Sequence, residues 1–356
     1  MKVAIVGGGV IGLSTAYFLA KAGVYVDLFE QRYLLYGASG RNSGGITAQL
    51  RNKSLIKLAL RSLELYGKIQ SEVKFNFLLR KSGYLKVAAE KDVEKLKEEV
   101  KFQRKCGANV EFLEADNVAR YFSDINTKAF SVASYFAEGG VVFPWPVIWG
   151  LAKGCKGLGV NIHEGTSVKV VVERDEAVGV KVNGETHKAD YVVNAAGAWS
   201  NEVSKTAGVE LSNRVVREEI CVTESLRPYI DPYIFDISSG VYVSQSMRGE
   251  VVGGIEGKET DSLDTKSTLD FLIEYSKKVT QLIPKLRGLS ILRQWTGIYD
   301  VGKNGLPVGF TKVKGFVQAN GFGRYGMSVG LAAGESISEL IIKGKSKILE
   351  EFSPDV

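Results

Sequence analysis

The 356-residue chain is poor in the side chains that carry metal and nucleophilic chemistry, with two histidines and three cysteines. His163 and His187 are too few for a histidine-rich metal centre and lend little to a Ser-His-Asp mechanism; each reads as a surface residue. Cys106, Cys155 and Cys221 stand far apart and form neither a C-x-x-C pair nor a metal-ligand spacing, so a reducing, cytoplasmic setting and no bound metal are expected. The scarcity of both residue types, with heavy Lys and Glu usage, leans toward a thermophilic source. No repeat or low-complexity segment is visible. No stretch after the first helix is long and apolar enough to span a bilayer. The net charge of +6 is modest and its lysines and arginines are dispersed, which argues against a nucleic-acid partner.

What is present starts at once: MKVAIVGGGVIGLSTAYFLAKAG. Lys2 before an apolar run imitates a signal peptide, but three consecutive glycines, the missing small-residue cleavage site and Lys21 oppose that reading. Residues 3–6 read as a strand, Gly7, Gly9 and Gly12 form G-x-G-x-x-G around Val10 and Ile11, and residues 14–22 read as a helix stopped by Gly23. A second strand over 24–29 ends in Glu30, followed by Gln31. This order is that of a dinucleotide site. The first glycine allows the tight turn, the second lets backbone approach a pyrophosphate, the third lets helix and strand pack, and the terminal acid meets a ribose.

The length suggests two domains. Helices are expected over 52–75, 92–106, 115–121, 144–155, 268–283 and 331–342. Strands are expected over 83–88, 160–163, 191–194, 290–299 and 316–319, with a hairpin over 167–182 and β-type runs over 240–255. The expected fold class is α/β with α+β character: a Rossmann-like nucleotide-binding domain, discontinuous over 1–80, 136–214 and 306–356, and a second domain over 81–135 and 215–305 built on a mixed or antiparallel sheet.

Three further stretches bear on a ligand. GASGRNSGGI (37–46) offers backbone N–H groups and the short polar side chains of Ser39, Arg41, Asn42 and Ser43, suited to phosphate or an extended polar chain. VVNAAGAWS (192–200) runs from a strand into small residues that let backbone pass under something flat. NGFGRYGMSVG (320–330) sets glycines at the mouth of a helix, where a second phosphate loop, tight packing and a cradle for a reduced flavin fit equally.

In that order, and together with YVSQ…GEVVGG and QWTGIYD, these motifs resemble the D-amino acid oxidase superfamily of flavoproteins over nearly the whole chain. The middle and late pieces are most similar to sarcosine oxidase β-subunits and the β-subunits of dye-linked L-proline dehydrogenases. The resemblance implies FAD, with Gly7, Gly9, Gly12 and Glu30 on the ADP half and Val168 touching adenine through its backbone. Ala196, Gly197 and Trp199 would follow along the pyrophosphate and ribityl. Ser39, Arg41, Asn42, Gly44, Gly45 and Ile46 would lie near ribityl and flavin, and Gly321, Gly323, Arg324, Tyr325, Gly326 and Met327 at the pyrimidine edge. It also implies oxidation of an amino acid or secondary amine to an imine by hydride transfer to flavin N5, with partner subunits or an electron-acceptor protein and, through that acceptor, at most a peripheral membrane association.

The chain departs from its relatives at Val301-Gly302-Lys303-Asn304, where they often read TPD, and at Tyr325, where they commonly carry histidine. No histidine stands near 144–149 and no cysteine in the last flavin loop, so a covalent flavin is not expected. Amine oxidation needs a cation for the carboxylate and aromatics to shape the cavity. Arg51, Arg293 and Arg324 are the candidate anchors, and Tyr242 and Tyr299 the candidate lid or carboxylate-bonding phenols; for each, a structural role is as plausible. A flavin-bearing subunit serving electron relay and a 2-hydroxy-acid dehydrogenase are the competing functions.

Overall fold

The computed structural model describes residues 1–303 and 305–352. Asn304, the last residue of the departure noted above, and residues 353–356, the end of the expected nucleotide-binding domain, lie outside the described residues. The first sheet has six strands in the order Val308–Phe310, Phe316–Ala319, Tyr191–Asn194, Lys2–Val6, Tyr25–Phe29 and Asn161–His163. All pairs are parallel except the first. Strict alternation along Lys2–Val6 feeds two cores, as the two-residue period of a strand requires. Val3 and Ile5 pack under the helices Val10–Lys21 and Gly326–Lys343. Ala4 and Val6 pack under a three-stranded sheet, Lys169–Glu173, Glu176–Val182 and Glu185–Lys188. The first and last helices approach so closely that a Cβ on Gly334 would lie 2.4 Å from Ser14 Cβ.

The second sheet has nine strands. It runs from Lys258–Glu259 through the long strand Arg214–Ser225 to Glu250–Ile255, Val241–Gln245, Tyr233–Asp236, Tyr84–Ala88, Val132–Phe136 and Val110–Glu114. Ile291–Val301 pairs along Arg214–Ser225. One face, with Leu85, Val87, Ile234 and Val243, is covered by Phe271, Tyr275 and Val279 of the helix Leu269–Leu282. The opposite face carries Ile220, Tyr84, Tyr233, Phe235 and Tyr242 and looks toward the glycine loops of the first sheet.

Most expected elements are present, with shifted ends. The helix expected over 52–75 is Lys53–Glu72, with Asn52 as its N-cap accepting from Leu55 N at 2.9 Å. The last helix starts at Gly326 rather than 331. Its glycines sit inside the first turns because they face the opening helix, where a Cβ on Gly330 would meet Val10 at 2.9 Å. Val110–Glu114 and Val132–Phe136 were not anticipated: each is short and is fixed by pairing in the broad sheet and by burying Val110, Val132, Ala133 and Phe136 in the cores. The two histidines are half-buried rather than free at the surface, and His163 stacks on Phe29 with ring centroids 4.8 Å apart. Among the described residues no helix is long and apolar enough to cross a membrane.

Candidate active site

The site begins where the parallel strands end. Gly7 has φ +111°, and a Cβ there would lie 2.3 Å from Ala195 O. A Cβ on Gly12 would lie 2.0 Å from Gly7 O. These two glycines therefore set the turn and the helix seat. Gly9 differs: a Cβ there would meet only Ser39 Oγ, at 3.2 Å, so its bareness keeps a cradle open. The helix that follows has no acidic residue in its first turn, and its Val10 N–H donates to Ser39 Oγ at 3.0 Å. Its first turn thus brings no carboxylate of its own to the positive end, which suits an anion. Glu30 is fixed by Gly8 N on Oε2 and Arg32 N on Oε1, each at 2.9 Å, and keeps further acceptor capacity for a hydroxyl.

A buried polar network ties the other loops to this turn. Asp300 accepts from Gly321 N at 2.7 Å and from Asn213 Nδ2 at 2.9 Å. Asn320 donates to Asn194 O at 3.1 Å and to Gln318 Oε1 at 2.7 Å. The AAG and NGFG loops thereby hang from adjacent strand ends as one rigid edge. Burial raises the pKa of the Asp300 carboxyl, against the pull of its hydrogen bonds.

Along this edge runs a cleft of about 1010 Å³. Gly7, Gly9, Val10, Ile11, Glu30 and Gln31 line one end; Ser39, Val168, Ala196, Gly197 and Trp199 line its middle; Gly323 and Gly326 reach it from the last loop. A second cavity, about 570 Å³ with the space it opens to solvent, adjoins it and shares the wall residues Ala38, Tyr299 and Gly323. The glycine turn, the helix terminus with no acidic residue in its first turn and the acid at the second strand fit a dinucleotide cofactor, which these residues would hold. Gly12, Gly44, Ile46, Gly321 and Met327 do not line either space. They stand behind the walls: a Cβ on Gly44 would lie 2.0 Å from Val142 O, and Met327 O accepts from Tyr66 OH at 2.7 Å.

The second cavity has two unlike walls. Arg41, Asn42, Ser43, Gly45 and Tyr325 come from the glycine loops; Tyr84, Glu218, Ile220, Tyr233 and Tyr299 come from the broad sheet. Arg41 is spent on backbone, donating to Tyr36 O at 2.8 Å and Thr296 O at 3.0 Å. Arg324 also lines the cavity, and its side chain is 14 % exposed. It lies over the rings of Phe235 and Tyr242, at 4.9 and 5.1 Å from their centroids. Its Nη1 is buried with no hydrogen-bond partner; Glu256 Oε1 is 3.1 Å away but not aligned to accept. Burial opposes its charge, yet the Glu218 carboxylate and the surrounding phenols outweigh that and hold its pKa above the ordinary arginine value.

The other sequence candidates fall elsewhere. Tyr299 lines the cavity and donates to Glu218 Oε2 at 3.0 Å; burial, then Glu218, raises its pKa. Tyr242 is fully buried beneath Arg324, so it is no lid; its hydroxyl lies beside the Glu218 carboxylate, which raises its pKa after burial, and makes no aligned hydrogen bond among the described residues. Arg51 is paired to Glu99 at 2.7 Å and lines neither space. Arg293 is exposed on its strand and lines neither space.

Sequence reading missed Glu218, Tyr84 and Tyr233, which line the cavity, and the buried Lys86 two residues along the strand from Tyr84, which lines neither space. The tyrosines stack on each other at 4.6 Å, and Tyr233 shares a hydrogen bond of 2.9 Å with Ser43 Oγ. Lys86 is 5 % exposed and donates to Gln49 O at 2.6 Å; burial pushes its pKa down to about 8. The available signal was a charged residue inside an otherwise apolar strand, YLKVA, where all five residues are buried.

Residues 2–340 match the model of the DAO family, described as FAD dependent oxidoreductase. The sarcosine oxidase subunit beta of Rhodobacter capsulatus is 26% identical over 361 residues, covering 98% of this chain and 87% of the relative. FAD-dependent oxidoreductase domain-containing protein 1 of Xenopus laevis is 26% identical, covering 98% of this chain and 80% of the relative. Among solved structures, L-proline dehydrogenase from P. horikoshii superposes with a TM-score of 0.93 at 29% identity, covering 99% of this chain and 96% of the other. Glycine oxidase from Geobacillus kaustophilus superposes at 0.89 and 25%, covering 99% and 97%.

Proposed function

Because the chain belongs to the DAO family of FAD-dependent oxidoreductases, we propose that it oxidises the C–N bond of a carboxylate-bearing amino acid or secondary amine of the sarcosine, proline or D-amino acid kind. The observation that carries this reading is Arg324: a buried guanidinium whose Nη1 has the Glu256 carboxylate at 3.1 Å but no aligned hydrogen bond among the described residues, lining a cavity that adjoins the dinucleotide cleft. Such a donor is costly to leave unpaired, and a ligand carboxylate satisfies it. Arg324 is the proposed carboxylate anchor, the rings of Tyr84 and Tyr233 form the floor, and Tyr299 lies on the wall that the two spaces share. FAD, when bound, supplies the acceptor for the hydride that leaves the carbon bearing nitrogen, and the resulting imine hydrolyses. The chain's own residues bind, orient and dry the substrate. Neither a cysteine nor a histidine lines either space among the described residues, which supports a non-covalent cofactor.

The names of the relatives support the substrate class, and the β-subunit name of one supports a partner subunit for this chain. The division into 1–80, 136–214 and 306–356 for cofactor and 81–135 and 215–305 for substrate is supported by the separate strands of the two large sheets. Anaerobic mixing of the flavin-loaded protein with a panel of amino acids, secondary amines and 2-hydroxy acids is the test. Bleaching of the flavin band by an amine is expected. Bleaching by hydroxy acids alone, or by nothing, replaces this reading with a hydroxy-acid dehydrogenase or with an electron-relay subunit.

A further inference from the structure

The cavity holds a second charge that the carboxylate anchor does not account for. Glu218, on the long strand Arg214–Ser225, has a side chain 9 % exposed and lines the cavity beside Arg324. Its Oε2 is committed, accepting from Tyr299 OH at 3.0 Å and Gly257 N at 3.1 Å. Its Oε1 lies 3.7 Å from Arg324 Nη2, longer than the roughly 2.7–2.9 Å of a charge-assisted hydrogen bond. The two charges are held just apart by other partners: Glu218 by Tyr299 and the Gly257 amide, Arg324 by the rings of Phe235 and Tyr242 and by Glu256 Oε1, 3.1 Å from its Nη1. Each keeps capacity toward the same space, a cation donor beside an anion acceptor. An α-amino acid presents the matching pair, a carboxylate and a cationic nitrogen separated by one carbon.

We propose that Glu218 is a specificity determinant of this cavity: its free oxygen takes the cationic nitrogen of the ligand while Arg324 takes the carboxylate, so that the site selects zwitterions over carboxylates that lack the nitrogen. This rests on the amine reading above and adds to it the group that recognises the nitrogen. It also gives a physical reason for rejecting 2-hydroxy acids, which leave Glu218 facing an uncharged oxygen in a desolvated space.

The test uses flavin-loaded protein and three matched pairs, each an amino acid and its oxygen isostere: glycine and glycolate, sarcosine and methoxyacetate, L-proline and tetrahydro-2-furoate. Binding is read anaerobically from the perturbed flavin absorbance, or from saturation of the reduction rate where the ligand reduces the flavin. In the wild type at least one amino acid is expected to bind ten- to a hundred-fold more tightly than its isostere, the range of about 10–150-fold for a hydrogen bond to a charged group. Glu218→Gln should shrink that ratio to within about threefold by weakening the amino acid while leaving its isostere within about threefold of wild type. A wild type that binds isosteres as tightly as amino acids overturns the proposal without any variant. So does an E218Q protein that weakens both members of a pair equally. If no amine reduces the wild-type flavin, the functional reading fails, and the binding ratios still decide the role of Glu218.

Discussion

Replacing Arg324 separates its place in the cavity from those of the two other arginines. In Arg324→Met the unbranched side chain still packs on Phe235 and Tyr242, but the cavity loses its guanidinium. The loss expected is that of one hydrogen bond to a charged partner, about 1.5–3 kcal/mol, or about 10- to 150-fold in KM at constant kcat. The lower half of that range is favoured, because Glu218 at 3.7 Å and Glu256 at 3.1 Å already attract the guanidinium in the free protein and their pull is given up when a ligand carboxylate arrives. Arg324→Lys should fall between, since an ammonium keeps the charge but not the planar fork or the stacking. Steady-state kinetics with the best amine, run beside Arg51→Ala and Arg293→Ala, provide the assay, with thermal midpoints to confirm that each variant folds. Arg51 and Arg293 line neither space, so their variants should stay within about twofold, as surface changes do. A KM for R324M within threefold of wild type, or a larger effect from R293A, would refute the assignment of the anchor.

Three further outcomes are expected. Lys86 has its pKa pushed by burial from 10.5 to about 8, so between those values the unfolded chain binds the proton that the folded chain has released; stability should rise with pH across that window by up to about 3 kcal/mol, and denaturant midpoints at pH 7.5 and 10 should show Lys86→Met lacking the rise, parallel behaviour of the two proteins contradicting it. Gly334→Ala should cost about 1–3 kcal/mol, since its new Cβ meets Ser14 C at 2.5 Å and Thr15 N at 2.6 Å, backbone that cannot step aside. Gly157→Ala, at a helix position with nothing within 4 Å, should instead gain about 0.5–1 kcal/mol, and calorimetry compares the two. Acid precipitation of the holoprotein should leave the flavin in the supernatant, and flavin retained on the pelleted chain would show a covalent link.

Sequence and structure agree best where order is local. The opening strand, turn, helix and second strand lie within 30 residues, and each element is announced by its own period and punctuation: β-branched strand, spaced glycines, terminal acid. The last helix was placed five residues late because glycine carries a low helical propensity, and the closing helix gains its glycines from contact with the opening one, a tertiary cause. Arg51 follows the glycine loop and looked as suitable as Arg324; its partner Glu99 lies 48 residues away on a helix whose contact with that loop no local pattern announces.

The sequence alone determined the strand, glycine turn, helix and acid that suit a dinucleotide at the chain's first turn, since the glycine spacing acts on backbone a few residues away. Only the tertiary structure decided which side chains share the neighbouring cavity. Glu218 meets Tyr299 across 81 residues, and Arg324 comes to rest on Phe235 and Tyr242, because strand register rather than sequence distance sets which side chains share a sheet face.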